Sequence, residues 1–522
     1  MTIGVSSWAA GIGVAVDNKQ FASSVEILKR KHLLVGQYDV AKTTVVDHVP
    51  RLVTSPTEVA SLYGVGSPLH RMAIGASNGS YFDVETWVAP QPEILAGVKA
   101  AATVVFGGGP ATSTGTIVLY IMGIPVSIPV ASGDAVAAIG ASAIAAINAM
   151  PELGVVAAGN ASMTITSKYK GTWGNYQSVT MAWDGEELPT GGLTVTITPM
   201  AAGATDPSIA DALTALGTGD SANQLGFTDV NFGFGLETDA TINAISTYVG
   251  AGNVQTGLYS PTVGRPFRAL WGYTVSTGVA GTDLANLKTL TDDFTTNRAC
   301  GLIAAPDSPH HPCEIACQAM GVMARLNSTR AEQSPLNVTL AGIIPGRRAY
   351  DWTTEYDNRD YAVQNGIGTT MEKGGVLTIQ NVLTFYRPSS MPVASNGYRS
   401  MRNISIIQNM LNAVRVNFQN TKWDGCTIVV DVAKVGNAVS RAKARDLGAV
   451  TDDLLALVTG FGNRAWIYSA QWSKDKIAAG GLVTIRSGAN GFDCTIPALL
   501  SGEAGIFNTV IEFDTSLAVL LG

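Results

Sequence analysis

Apolar positions change period three times along this chain, and each change marks a different architecture. Lys31-His-Leu-Leu-Val-Gly36 is a short apolar run with the length of a buried strand; Glu58 to Ala76 carries apolar residues at helical spacing, and Tyr81 to Val88 returns to a strand. That order is a βαβ unit and implies a parallel, helix-covered sheet. The same alternation resumes after about residue 230, with helix 238–250, strand Phe267 to Tyr273, helix 283–297, strand Cys300 to Ala304 and helix 313–328. Between the two stretches the pattern becomes β-rich. Thr116 to Ile121 and Ile124 to Val130 flank a Gly123 turn, an alanine-rich helix follows from Asp134 to Met150, and Val155-Val156, Ser162 to Ser167 and Leu193 to Thr198 read as further strands. After Gly374-Gly375 a third region begins: strand Val376 to Tyr386, a helix near Gly397 to Asn417 with Ile404, Ile407, Leu411, Val414 and Phe418 on one stripe, a second helix at Asp452 to Val458, and strands near 482–486, 492–496 and 506–513.

The pattern divides the chain into an N-terminal arm (1–24), an α/β domain in two parts (25–95 and 228–374), an inserted β-rich peripheral domain (96–227), an α+β C-terminal domain (375–509) and a C-terminal strand arm (510–522). The fold class is therefore multidomain α/β and α+β with extended terminal strands. The arms stand out because neither carries charge where it is most apolar. Ile3, Val5, Trp8, Ile12 and Val14 precede the first charged side chain, Asp17, and Val510, Ile511, Phe513, Leu517, Val519 and Leu521 surround Asp514, the last one. Two such arms are an aggregation hazard in a free monomer, and strand addition to a neighbouring sheet removes it. The alternative is that both termini tuck into the chain's own sheets.

Composition narrows the function classes. Charged residues make up 14% of the 522 positions, which suits a surface covered by partners, and the 33 basic against 40 acidic residues leave no basic footprint for nucleic acid. Five scattered cysteines do not form a secreted disulfide framework, and no basic region precedes the apolar N-terminus as a signal peptide requires. Between Lys99 and Glu152 the sole charge is Asp134, yet Pro125, Pro129 and Gly107-Gly-Gly-Pro110 break that stretch into strands, so no membrane insertion is expected.

Candidate chemistry is sparse. Gly75-Ala-Ser-Asn-Gly79 matches G-x-S-x-G, which would make Ser77 the nucleophile of a serine hydrolase; with a helical pattern before it and a strand after, it reads as a helix C-cap and turn. His310, His311, Cys313 and Cys317 cluster, with the cysteines on one helical face, and read as a helix start with two core cysteines rather than a metal set. Tyr350-Asp-Trp352 to Asp360 groups acids and aromatics and reads as a solvated or intersubunit loop. No phosphate cradle occurs, so no cofactor is expected. Arg441-Ala-Lys443-Ala-Arg445 is the densest positive patch: a solvated face, or a docking site for an acidic partner.

Gly375-Val-Leu-Thr-Ile-Gln-Asn-Val-Leu383, Met410-Leu-Asn-Ala-Val-Arg-Val-Asn-Phe-Gln-Asn420, the Asp452 to Val458 helix and Phe507-Asn-Thr-Val-Ile-Glu-Phe513 together resemble contractile tail sheath proteins of Mu-like bacteriophages, as does Tyr63-Gly-Val-Gly-Ser-Pro-Leu-His-Arg-Met72 with Trp87-Val-Ala-Pro90. The resemblance implies a subtilisin-like but inactive middle domain. None of His32, His48, His70, His310 or His311 is followed by Gly, and no Gly-Thr-Ser-Met-Ala occurs, so the triad's chemistry is missing. It further implies stacked hexameric rings around an inner tail tube, a carboxyl domain facing that tube, baseplate and tail terminator partners, interlocking arms, and a virion tail assembled in the host bacterial cytoplasm; the basic patch Arg441, Lys443 and Arg445 is then the candidate tube contact. The alternatives are a serine hydrolase using Ser77 and a non-contractile surface or decoration protein.

Overall fold

The computed structural model describes residues 25–181, 192–236, 239–250, 256–260, 262–347, 352, 355–387, 396–486 and 491–502. The chain separates into two compact units, one of Leu28–Gln408 and one of Asn409–Ser501 with the stretch ending at Ile27. The arm positions Ile3, Val5, Trp8, Ile12 and Val14, and likewise Val510, Ile511, Phe513, Leu517, Val519 and Leu521, lie outside the described residues.

Unit 28–408 is built on an eight-stranded sheet in the order Val376–Asn381, Gly368–Lys373, Cys300–Ala304, Arg268–Tyr273, Asp229–Phe232, Lys31–Gln37, Glu85–Gln91, Arg51–Val53. The middle six strands run parallel, and the two outermost pair antiparallel. Alternation assigns the faces: Leu33 and Val35 enter one core while Leu34 enters another, so helices cover both sides. Helices Asp239–Val249 and Ala280–Asp292 contribute to the first core, and Pro68–Ser80 and Pro312–Thr329 to the other face.

Several expectations shift in detail. The helix expected over 58–76 is two, Pro56–Tyr63 and Pro68–Ser80. Gly64 takes φ 101°, and Ser67, at the N-cap, accepts from His70 N–H just before Pro68, so the chain stops and restarts. Strands Asp229–Phe232 and Gly368–Lys373 had no signal in the pattern. In the first, Asp229 and Asn231 are polar yet buried, because Arg268 pairs with Asp229 and His32 Nε2 lies 2.7 Å from Asn231 Oδ1. Val376–Asn381 forms an antiparallel hairpin with Gly368–Lys373, and Gly374-Gly375, at φ 62° and 82°, is its turn. The acid-rich segment expected as a loop includes helix Tyr356–Gln364, where Asp360 accepts from Gln364 one turn on.

The inserted region follows its pattern closely. Gly115–Ile121 and Ile124–Val130 pair around Gly123, joined by Val179–Met181. Val155–Gly159, Ser162–Lys170 and Thr194–Ala201 form a second sheet with Lys99–Gly107, a strand the pattern did not show. Helix Val136–Asn148 and both sheets share one apolar core that includes Val104, Leu119, Ile139, Ile147 and Ile165.

Unit 409–501 takes in the second half of helix Met401–Phe418, then helices Ala438–Lys443, Leu447–Asn463 and Ala470–Ala478 and two two-stranded sheets. Leu447–Asn463 is longer than the expected 452–458, because Asp446 caps it by accepting from Ala449 N–H at 2.9 Å. Gly460 within it leaves room for Val25, and a Cβ there would collide with that side chain.

Candidate functional site

The G-x-S-x-G segment lies inside helix Pro68–Ser80, and the cap is Tyr81 at φ 54°, donating to the Ser77 carbonyl. This corrects the expected cap at Ser77-Asn-Gly79. The glycines serve packing: a Cβ on Gly75 would collide with the Glu314 carbonyl oxygen, and one on Gly79 with that of Gln318. Helix Pro312–Thr329 therefore passes at backbone distance, and Gly321 makes the reciprocal approach to Ala76. Within this seam Arg71 Nε pairs with Glu314 Oε1 at 2.5 Å, and His310 Nδ1 lies 3.5 Å from Glu314 Oε2. Burial pushes the Glu314 carboxyl up, but Arg71 and His310 outweigh it and hold it at about 2.

Within the histidine and cysteine cluster, His311, Cys313 and Cys317 are engaged in packing and capping. His311 accepts from Cys313 N–H through Nδ1 at 3.2 Å, capping helix Pro312–Thr329, so Nε2 carries the proton toward the Trp173 carbonyl at 3.1 Å. Its ring stacks on Trp173 at 3.6 Å, and burial lowers it to about 4, so it is neutral near pH 7. Cys313 and Cys317 are core residues, and burial pushes the Cys317 thiol well up. Among the described residues no three His, Cys, Asp or Glu side chains could hold a metal ion together.

This arrangement sits where an α/β protein would bind a substrate. Strand order reverses between Lys31–Gln37 and Asp229–Phe232, and ligands of such sheets bind beyond the carboxyl ends of the strands at that point. Here Trp173, from the inserted region, packs over Gly233 at 3.6 Å from its ideal Cβ. Beside it remains a cavity of about 20 Å³, lined by Trp173, Phe234, Trp271 and His311 among others, with space for about one water. The inserted region fills the crevice.

The second candidate is the basic run of unit 409–501. Helix Ala438–Lys443 is capped by Asn437, which accepts from Val439 and Ser440 N–H. Arg441 and Lys443 are exposed and Arg445 is half-buried. Each folds back on a backbone carbonyl: Arg441 Nε on Val435 at 2.7 Å, Lys443 Nζ on Asp424 at 2.9 Å, Arg445 on Lys422 at 2.7 Å. Arg445 and Lys422 also lie over the Trp423 ring, at 5.8 Å and 5.6 Å. Asp453 fixes this knot, accepting from Trp423 Nε1 at 3.0 Å and Asn417 at 2.9 Å and pairing with Lys422 at 2.5 Å. Lys422, Trp423 and Asp453 were missed in the sequence; a tryptophan flanked by Lys422 and Asp424 in a chain this poor in charge was the available signal. Val430 and Val439 stand beside this run in sequence, 94% and 82% exposed. Fixed charge with exposed apolar groups suits a docking surface.

No family profile matches the chain. Among solved structures it is similar to a sheath tail protein from Desulfitobacterium hafniense, at 11% identity and TM-score 0.43 over 92% of this chain and 94% of that one. It is also similar to the anti-feeding prophage helical sheath in its contracted state, at 8% identity and TM-score 0.43 over 97% and 100%. A curated protein, the Mu-like prophage FluMu tail sheath protein of Haemophilus influenzae, is 32% identical over 209 residues, which is 39% of this chain and 42% of that protein. The sequence match thus spans less than half of either chain. Its content agrees with the resemblance read from the sequence: this curated relative is a tail sheath protein of a Mu-like prophage.

Proposed function

We propose that the chain is the subunit of a contractile tail sheath. Copies stack as hexameric rings around an inner tail tube, between baseplate and tail terminator, and contraction drives the tube through the host envelope for genome delivery. The observation that carries this reading is the 32% identity to a prophage tail sheath protein. Its place is a virion tail, assembled in the host cytoplasm. The partition into arms, a split subtilisin-like domain (25–95 and 228–374), a peripheral insertion (96–227) and a tube-facing carboxyl domain (375–509) belongs to the same proposal, with the first strand past 375, Val376–Asn381, paired into the large sheet and the separate compact unit beginning at Asn409. The crevice filled by Trp173 supports a subtilisin-like frame that keeps its sheet without a substrate site.

In this reading the arms link neighbours. Val483–Ile485 and Phe492–Cys494 form a two-stranded sheet, which has outer edges for an incoming strand. About five ladder hydrogen bonds at roughly 0.5–1.5 kcal/mol each, plus apolar burial, make such a link worth several kcal/mol. Links of that strength hold while rigid bodies slide between an extended and a compact lattice. Arg441, Lys443 and Arg445 are the tube contact.

Negative-stain microscopy of the full chain and of a chain lacking Leu517 to Gly522 tests the reading. The full chain should form long tubes and the shortened one none. Normal tubes from the shortened chain would overturn strand donation by this arm; tubes of fixed length under every condition would favour a non-contractile surface protein.

A further inference from the structure

A sheet's edge strand turns unpaired N–H and C=O groups outward, and any uncharged extended segment can pair with them. Chains with apolar, uncharged termini therefore need their other edges closed. In the inserted region one edge is Ile124–Val130, where Pro125 and Pro129 have no N–H to offer. The other sheet ends in Val155–Gly159, Val-Val-Ala-Ala-Gly, with neither proline nor charge and with Val156 47% exposed. By composition it is open.

The structure shows its midpoint occupied. Lys168 N–H donates to the Gly154 carbonyl at 2.9 Å, which turns residues 154, 156 and 158 toward Ser162–Lys170 and residues 155, 157 and 159 outward. At Ala157, midway along, the outward pair is taken by one side chain: Asn148 Nδ2 donates to the Ala157 carbonyl at 2.9 Å, and Ala157 N–H donates to Asn148 Oδ1 at 2.9 Å. A carboxamide carries donor and acceptor side by side, as a peptide group does, so it completes this two-point pair. Asn148 ends helix Val136–Asn148 and is itself largely exposed, so its side chain contributes little to the core.

We infer that Asn148 closes the Val155–Gly159 edge against strand addition, and that the segment it excludes is the uncharged carboxyl-terminal stretch of a second copy, Thr515 to Gly522. It is a specificity residue for assembly, since it removes a wrong acceptor for the arm. The occupant rests on the strand-donation reading above: Thr515 to Gly522 is an uncharged, largely apolar stretch that every copy carries, long enough to span the five residues of this edge.

A photo-crosslinking peptide of residues 510–522, added to the full-length chain and mapped by mass spectrometry, tests this. Wild type should give little crosslinking at 155–159. Asn148→Ala should raise it about tenfold, as one two-point hydrogen-bonded pair becomes available, with an unchanged circular dichroism spectrum. Asn148→Ala with Ala157→Pro should return it to the wild-type level, because proline withdraws the outward N–H without touching the ladder. No rise in the first variant, or no reversal in the second, overturns the inference. Strand donation itself fails separately, if the peptide crosslinks nowhere in 483–494 of the wild-type chain. Should Asn148→Ala unfold the chain, Asn148→Gln, whose longer arm cannot hold both bonds in register, replaces it with the same expected rise.

Discussion

Unit 28–408 keeps its decisive charges inside, and unit 409–501 keeps them outside. In the first, Arg71 and Glu314 are nearly buried and Arg268 and Asp229 fully so, each pair held between elements distant in sequence. In the second, Arg441 and Lys443 stand in solvent and Arg445 is half-exposed, folded onto carbonyls around Trp423. A buried pair fixes one arrangement of its elements, because separating the partners strands a charge in a medium that solvates it poorly. A surface cation held in place offers the same charge to a partner at little cost to the fold. One region uses its charges to fix its own elements, and the other leaves them at the surface.

The largest expected effect breaks the rigid side. Glu314→Ala leaves Arg71 buried without its carboxylate and should cost about 3–5 kcal/mol, read as a shifted urea midpoint. A change below about 1 kcal/mol would mean that the seam is wet and the contrast false.

Acid should act on the same seam. The His311 ring is held at about 4, below the value near 6.5 of an exposed imidazole, so the unfolded chain takes up its proton first. Its contribution is fully present above about pH 6.5, declines as pH falls and is lost at about 4, in total about 3 kcal/mol. Urea melts between pH 7 and 4 should show this slope, and His311→Asn, which retains a cap, should remove one proton's share. His70, lowered to about 4 by burial, titrates over the same range and supplies a smaller share that remains, because it is only half-buried and solvent screens it.

A smaller effect separates packing from chemistry in one motif. Gly79→Ala meets the Gln318 carbonyl and should cost about 1–3 kcal/mol, whereas Ser77→Ala should change stability by less than about 0.5 kcal/mol and leave assembly intact. Loss of function with retained assembly in Ser77→Ala would revive the hydrolase.

The smallest effect on stability is expected on the outward side. Reversing Arg441, Lys443 and Arg445 to Glu should cost about 1 kcal/mol or less, yet weaken co-sedimentation with the tube protein. Unchanged co-sedimentation would remove these residues from the contact.

Local pattern was enough for much of this. Strand Cys300–Ala304 and helix Pro312–Thr329 lie within a residue of where periodicity put them, since a buried element writes its period into its own side chains. The inserted region was equally legible at Gly115–Ile121, Ile124–Val130 and Val136–Asn148, where turn residues and apolar spacing agree. Asp229–Phe232 was not, because Asp229 and Asn231 make a core strand look polar until their partners arrive from Arg268 and His32. The two candidate sites divide in the same way. The basic run could be read as a run; that Trp423 and Asp453 organise it could not, because 30 residues separate those two in the chain.

The sequence by itself determined the alternation of the large sheet, the β-rich insertion and the resemblance to a sheath protein, because each is carried by neighbouring residues or by short motifs. Tertiary structure alone decided that Gly75 and Gly79 are a helix crossing, that Trp173 fills the crevice at the point where strand order reverses, and that Asn148 stands in for a missing strand. Those roles belong to pairs of groups that local periodicity does not connect, from nine residues apart for Asn148 and Ala157 to opposite parts of the unit for Gly79 and Gln318, and a side chain's partner is fixed only when the fold brings the two within bonding distance.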